Sequence, residues 1–205
     1  MKLAQETMKV LCIDTDININ KLSKQVLTKE VEIIKKYSPL GGNGEFTDGQ
    51  TGLGENSLTS RFFHFNVLNW LGTKSLRKWI RKGYEAYTGI KGTTLYVQCW
   101  ANVMRRGEQI QSHKHCSYND RIITSDRHLC GHLNVQVDGL TSTYYGGNPI
   151  LNEKKTMVFF PNNVLHWTDR CDNDKERITI AFDVYSKEYF KYDIFDYAKN
   201  HWVRI

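Results

Sequence analysis

Between Thr93 and Tyr185 the chain falls into short stretches of alternating residues broken by turn residues, and this rhythm limits its folding more than any other feature. Side chains of a strand point to opposite faces in turn, so a period of two predicts strands. Expected strands cover 93–101, 129–137, 142–145, 156–160, 164–168 and 177–185, with a further stretch from Ile110 leading into His113. Arg105-Arg106-Gly107, Asp138-Gly139, Gly146-Gly147-Asn148-Pro149, Pro161-Asn162-Asn163 and Asp172-Asn173-Asp174-Lys175 supply the turns. Short strands at this spacing predict an antiparallel sandwich or barrel.

The first part of the chain reads differently. Val10-Leu11-Cys12-Ile13 predicts an edge strand. Leu22, Val26, Ile33 and Ile34 lie near helical spacing over 21–37, with Asn20 as a cap and Pro39 and Gly41-Gly42-Asn43-Gly44 beyond the end. Residues 41–60 form a polar, Gly-rich loop that lacks the phosphate-cradling GxxxxGK[ST] pattern and suits either a lid or a surface excursion. Residues 61–67 read as an aromatic strand with a structural His64. A second helix is expected over 76–87, capped by Ser75, stopped by Gly89, and striped by Leu76, Trp79, Ile80, Tyr84 and Tyr87. With 205 residues and no break in composition, we expect a single domain: 1–92 supports a β core at 93–185, and 186–205 ends in a helix on the outside.

Composition narrows the classes of function. A net charge of +6, much of it on the two helices, reads as solvated faces, so nucleic acid is not an expected partner. Cys12, Cys99, Cys116, Cys130 and Cys171 are odd in number and contain no CxxC, which predicts neither a disulfide framework nor a thiolate zinc site. No signal-peptide core and no apolar run of membrane-spanning length are visible, so the expected location is the cytoplasm, with no membrane partner.

The residues that carry chemistry are His113-Lys114-His115, His166 and Arg177. In an extended stretch His113 and His115 share a face while Lys114 points away, so two imidazoles can meet one metal. His166 follows the turn after 157–160, where a returning strand can bring a third. Arg177 comes eleven residues later, room for a strand end, a turn and the neighbouring strand, and Thr179 faces the same way. Imidazole suits several divalent metals, and a buried guanidinium suits a carboxylate ligand, such as the far carboxylate of a 2-oxo acid chelating iron.

Trp100-Ala101-Asn102, Gly107, His113-Lys114-His115, Leu129-Cys130-Gly131, the run from Phe159 to His166 and the run from Arg177 to Phe182 together resemble the 2-oxoglutarate/Fe(II) dioxygenases of the prolyl-hydroxylase-like group, in particular its small microbial and phage-encoded branch. The resemblance spans about residues 93–185. It implies a double-stranded β-helix (jelly roll), Fe(II) as metal, and 2-oxoglutarate and O2 as co-substrates. The reaction it implies is decarboxylation to succinate and CO2 coupled to hydroxylation of a C–H bond in a protein, peptide or small molecule, with proline the family-level substrate. A phage-encoded member would work in the host cytoplasm. By matched position, His113 and His166 become iron ligands, Arg177 the clamp on the far carboxylate, and Asn134 takes the place of a tyrosine that hydrogen-bonds 2-oxoglutarate.

The chain departs from the family at His115, where the motif is HxD or HxE. Three readings stay open: a three-histidine site, a carboxylate from elsewhere with Asp120 or Asp126 nearest, or a place filled by an anion or water. His128 and His132 read as hydrogen-bonded structural histidines, and Trp100 and Trp167 as core or pocket wall. The alternatives to a 2-oxoglutarate oxygenase are a three-histidine cupin-type dioxygenase that needs no 2-oxo acid, and a non-catalytic jelly-roll module that binds metal or ligand.

Overall fold

The alternating stretches become strands with two buried faces. The computed structural model describes residues 10–38, 51–115, 128–190 and 201–205. At its centre β2 (Leu95–Met104), β3 (His128–Gln136) and β8 (Arg177–Ser186) lie antiparallel, with β8 in the middle and Ala181 opposite both Trp100 and His132. Adding β6 (Thr156–Pro161), β1 (Leu11–Asp14) and β9 (Val203–Arg204) gives a six-stranded sheet in the order β1-β6-β3-β8-β2-β9. A smaller sheet has the order β5-β4-β7, from β4 (Ser142–Tyr145), β5 (Asn148–Leu151) and β7 (His166–Thr168). His113 extends it by exchanging backbone hydrogen bonds with His166, at 3.1 and 3.0 Å. Early and late strands thus interlace in each of two facing sheets, which is the jelly roll.

Parity assigns the faces of the large sheet. Val97, Cys99, Ala101 and Val103 of β2, Leu129, Leu133 and Val135 of β3, Ile178, Ile180, Phe182 and Val184 of β8, and Met157 and Phe159 of β6 form the main core. Two helices close that face. In α1 (Ile19–Lys36) the residues Leu22, Val26 and Ile33 are buried at helical spacing, and in α2 (Lys74–Thr88) Leu76, Ile80, Gly83 and Tyr84 are. Each fully buried aliphatic or aromatic side chain contributes roughly 1.5–3 kcal/mol. Buried Glu30 of α1 takes a two-pronged ion pair from Arg105, at 3.0 and 2.7 Å, tying the helix to the end of β2. The opposite parity carries Asn102, His132, Asn134, Arg177, Thr179 and Asp183, polar yet enclosed, because that face looks at the smaller sheet.

Several local expectations change. Asn18, not Asn20, caps α1, its Oδ1 accepting from the Lys21 amide at 3.1 Å. Thr73 rather than Ser75 precedes α2, without a side-chain cap bond, while Gly89 ends it at φ 76° as expected. Residues 61–67 are not a strand: short 3-10 turns at Thr59–Arg61 and Val67–Asn69 fold them over β2. Arg61 holds that shape by donating to the carbonyls of Tyr37, Glu55 and Ser57, and Asn66 by accepting from the Leu68 amide. Asn148–Leu151, expected as part of a turn, is an edge strand that tolerates Pro149. Of the expected C-terminal helix, Lys187–Phe190 is helical, and Val203–Arg204 is a strand paired with β2. Residues 39–50, which include part of the expected Gly-rich loop, 116–127 and 191–200 lie outside the described residues. Among the described residues Cys12, Cys99, Cys130 and Cys171 form no disulfide, and no helix is long and apolar enough to cross a membrane.

Candidate functional site

The backbone pairing of His113 with His166 brings the first and third histidines together from segments 53 residues apart, and the strand period keeps His115 on the same side. Ring centroids stand 4.2 Å apart for His113–His166, 5.3 Å for His113–His115 and 5.1 Å for His115–His166. One ring nitrogen from each lies within 4.8 Å of the other two. Lys114 is exposed, as the alternation predicts.

Each ring is also oriented. His113 Nδ1 donates to the Gln111 carbonyl at 2.8 Å and His166 Nδ1 to the Val164 carbonyl at 3.0 Å, the same local loop used twice. His115 Nδ1 donates to Asp183 Oδ1 at 2.6 Å. A carbonyl or carboxylate only accepts, so each neutral ring carries its lone pair on Nε2. Burial, then the neighbouring His115 and His113, hold His166 well below the ordinary imidazole range, as suits a ligand that must be deprotonated. Nitrogens bound to one metal at about 2.1 Å stand about 3 Å apart, a modest contraction of this cluster. The donor set therefore fits a divalent first-row metal. Trp100, Phe160 and Tyr145 surround it, with ring centroids 5.8 Å from His115, 4.6 Å from His166 and 6.3 Å from His166 respectively.

Arg177 lies farther along the same interior. Its Nη2 donates to Thr168 Oγ1 at 2.8 Å and to the Asp169 carbonyl, while Nε and Nη1 are buried without a partner among the described residues. Thr168 follows His166 by two residues on one face of β7, which puts the guanidinium roughly 6–7 Å beyond that histidine along the strand. His132 Nε2 and Asn134 Oδ1 are likewise buried and unpartnered among the described residues. His132 meets the Tyr145 hydroxyl at 3.4 Å, and burial followed by the charge of Arg177 brings its pKa down to about 4, so the ring is neutral. Thr179 sits opposite Asn134 and Asn102, and its Oγ1 accepts from Asn102 Nδ2 at 3.4 Å.

Every expected site residue except the outside carboxylates is thus placed on one interior. Asp120 and Asp126 fall outside the described residues. His128 and His132 bond to side chains, not to backbone. His128 stacks on Tyr185 at 4.0 Å with Nε2 3.5 Å from Asp183, and His132 meets Tyr145. Trp100 is buried, whereas Trp167 stacks on Tyr144 at 5.3 Å on the outside of the small sheet. Sequence reasoning missed Asp183 and Tyr145. The signal for Asp183 was present as a charge within an apolar strand, at even spacing from Arg177.

Comparison with known proteins agrees with this geometry at the level of fold. No family model and no curated protein matches the chain. Among solved structures, it is similar to the viral collagen prolyl hydroxylase of Paramecium Bursaria Chlorella virus-1, solved as its 2OG complex, with a TM-score of 0.54 and 15% identity over 89% of this chain and 98% of that one. It is similar to the non-heme monooxygenase ThoJ, solved as a Ni complex, with a TM-score of 0.57 and 11% identity over 88% of this chain and 74% of that one. It is also similar to a Pseudomonas putida prolyl-4-hydroxylase, with a TM-score of 0.50 and 13% identity over 88% and 94%. The chain has the jelly-roll fold of the 2-oxoglutarate/Fe(II) oxygenases.

Proposed function

We propose that the protein is an Fe(II)- and 2-oxoglutarate-dependent dioxygenase that hydroxylates a protein or peptide side chain, with proline the first candidate. One observation carries the reading: three oriented imidazoles converge where a metal fits, and a buried guanidinium, with Nε and Nη1 unpartnered among the described residues, waits one strand repeat beyond them. His113, His115 and His166 hold the metal through Nε2 and leave the remaining positions open. Arg177 takes the far carboxylate of 2-oxoglutarate in a charge-assisted fork, and Thr179 and Asn134 border that end. Buried, neutral His132 keeps the interior from adding a second cation beside Arg177. Iron in this site, with O2, supplies the oxidation in which 2-oxoglutarate loses CO2 to become succinate, one oxygen atom entering succinate and the other a substrate C–H bond. The prolyl hydroxylases among the similar structures support proline as the first substrate to test.

A second reading has its own observation. His115 stands where the resembled family carries a carboxylate, which suits a three-histidine dioxygenase that needs no 2-oxo acid. Arg177 separates the two. Protein loaded with Fe(II) under anaerobic conditions should develop a weak visible charge-transfer band when 2-oxoglutarate is added, then release succinate on exposure to O2. Arg177→Ala should keep the metal and lose the band. Proline-containing peptides should gain one oxygen atom by mass. A metal-loaded protein with neither band nor succinate contradicts the proposal, and oxygenation that survives in Arg177→Ala favours the second reading.

A further inference from the structure

Replacing the carboxylate of an HxD motif with histidine leaves the metal centre one unit more positive. A carboxylate nevertheless lies immediately behind the replacement. Asp183 Oδ1 accepts from His115 Nδ1 at 2.6 Å, and its strand position is fixed between Gln98 of β2 and Cys130 of β3. It shares a face of β8 with Arg177 and Thr179, the row that lines the interior. The carboxylate is enclosed between two imidazoles, with His128 Nε2 3.5 Å from the same Oδ1. Buried anions are costly unless paired, and here the partner is the candidate ligand itself.

The geometry also says how this carboxylate acts. The two nitrogens of an imidazole point away from each other. While His115 offers Nε2 to the metal, Asp183 stands on the far side of the ring and cannot bind the same ion. We infer that Asp183 is a positioning residue that returns the missing negative charge to the centre through His115, fixing its tautomer and strengthening Nε2 as a donor. The direct carboxylate ligand of the motif has thus moved one imidazole outward. Neither Asp120 nor Asp126 is then required. The inference rests on the reading of the three histidines as metal ligands.

Anaerobic titration of the full chain with Fe(II), and with Co(II) read by its visible bands, tests the idea by moving the charge. Wild type should bind one equivalent, and His113→Ala should lose it. Asp183→Asn, which keeps shape but not charge, should bind about tenfold to a hundredfold more weakly. Asp183→Glu should recover most of that loss. His115→Asp alone sets two carboxylates against each other. The double variant His115→Asp/Asp183→Asn places one carboxylate at the metal, and should bind more tightly than either single variant. Folded Asp183→Asn with wild-type affinity overturns the inference, leaving Asp183 a structural partner only. A double variant no better than its parents overturns it as well, because charge is then not what Asp183 contributes. Wild type that binds no metal fails at the histidine reading, an outcome distinct from both.

Discussion

Arg177 and Asp183 occupy one face of one strand, yet only the first stood out in the sequence. His113, His115, His166 and Arg177 were legible because their chemistry and strand parity are local. Asp183 was not, because its partner His115 is 68 residues away and no spacing rule links them. Asn134 was named only through its matched position in the resembled family, and in the structure its carbonyl oxygen is buried without a partner among the described residues. At this scale Arg177→Lys is informative. Lysine keeps the charge but cannot hold Thr168 and Asp169 while presenting two further N–H groups. The expected result is roughly a tenfold to hundredfold rise in the KM for 2-oxoglutarate with metal affinity unchanged, since a hydrogen bond to a charged group is worth about 1.5–3 kcal/mol. Equal loss of metal and 2-oxoglutarate would show that Arg177 supports the fold of the site instead.

Elements were legible where one period held over a whole strand or helix, and failed where side chains overrode the backbone pattern. Alternating aromatic residues at 61–67 suggested a strand, but Arg61 gathers three carbonyls and bends that segment into turns. Pro149 suggested a turn, but sits on the edge strand β5, where a missing N–H costs nothing in the ladder. Gly83 illustrates packing that no propensity reveals. A Cβ there would stand 2.0 Å from the ring of fully buried Phe159, so the absent side chain is what lets α2 close on β6. Gly83→Ala gains about 1 kcal/mol of helix propensity but forces an overpacked contact costing about 1–3 kcal/mol or more. Urea unfolding should show net destabilisation; a stabilised variant would mean that α2 sits farther from the sheet.

Across the whole molecule, an antiparallel sandwich or barrel was legible from strand rhythm and the jelly roll from the family resemblance, whereas the division of labour between its two faces needed the strand order. One face is an apolar bed for two helices, and the other is a polar interior shared with a small sheet. Two consequences are global. Metal binding only to the folded state should raise the melting temperature, by the equivalent of about 2.7 kcal/mol at a hundredfold excess over Kd, and His113→Ala should abolish the rise. Acid should destabilise the apo protein. His132 takes up a proton near pH 6.5 when unfolded but only near 4 when folded, so the unfolded chain binds more protons between these values. Stability conferred by the neutral ring is complete above about 6.5 and falls as pH drops towards 4, by up to about 3 kcal/mol from this residue. His166 shifts in the same direction. In His132→Gln the loss between pH 7 and pH 4.5, read by denaturant unfolding, should be smaller than in wild type. The most direct measurement is a crystal structure grown anaerobically with Fe(II) and 2-oxoglutarate, located by anomalous scattering. We expect one iron bonded to Nε2 of His113, His115 and His166, the far carboxylate of 2-oxoglutarate on Arg177, and Asp183 still on His115 Nδ1. Iron bound elsewhere, or 2-oxoglutarate away from Arg177, would contradict the account.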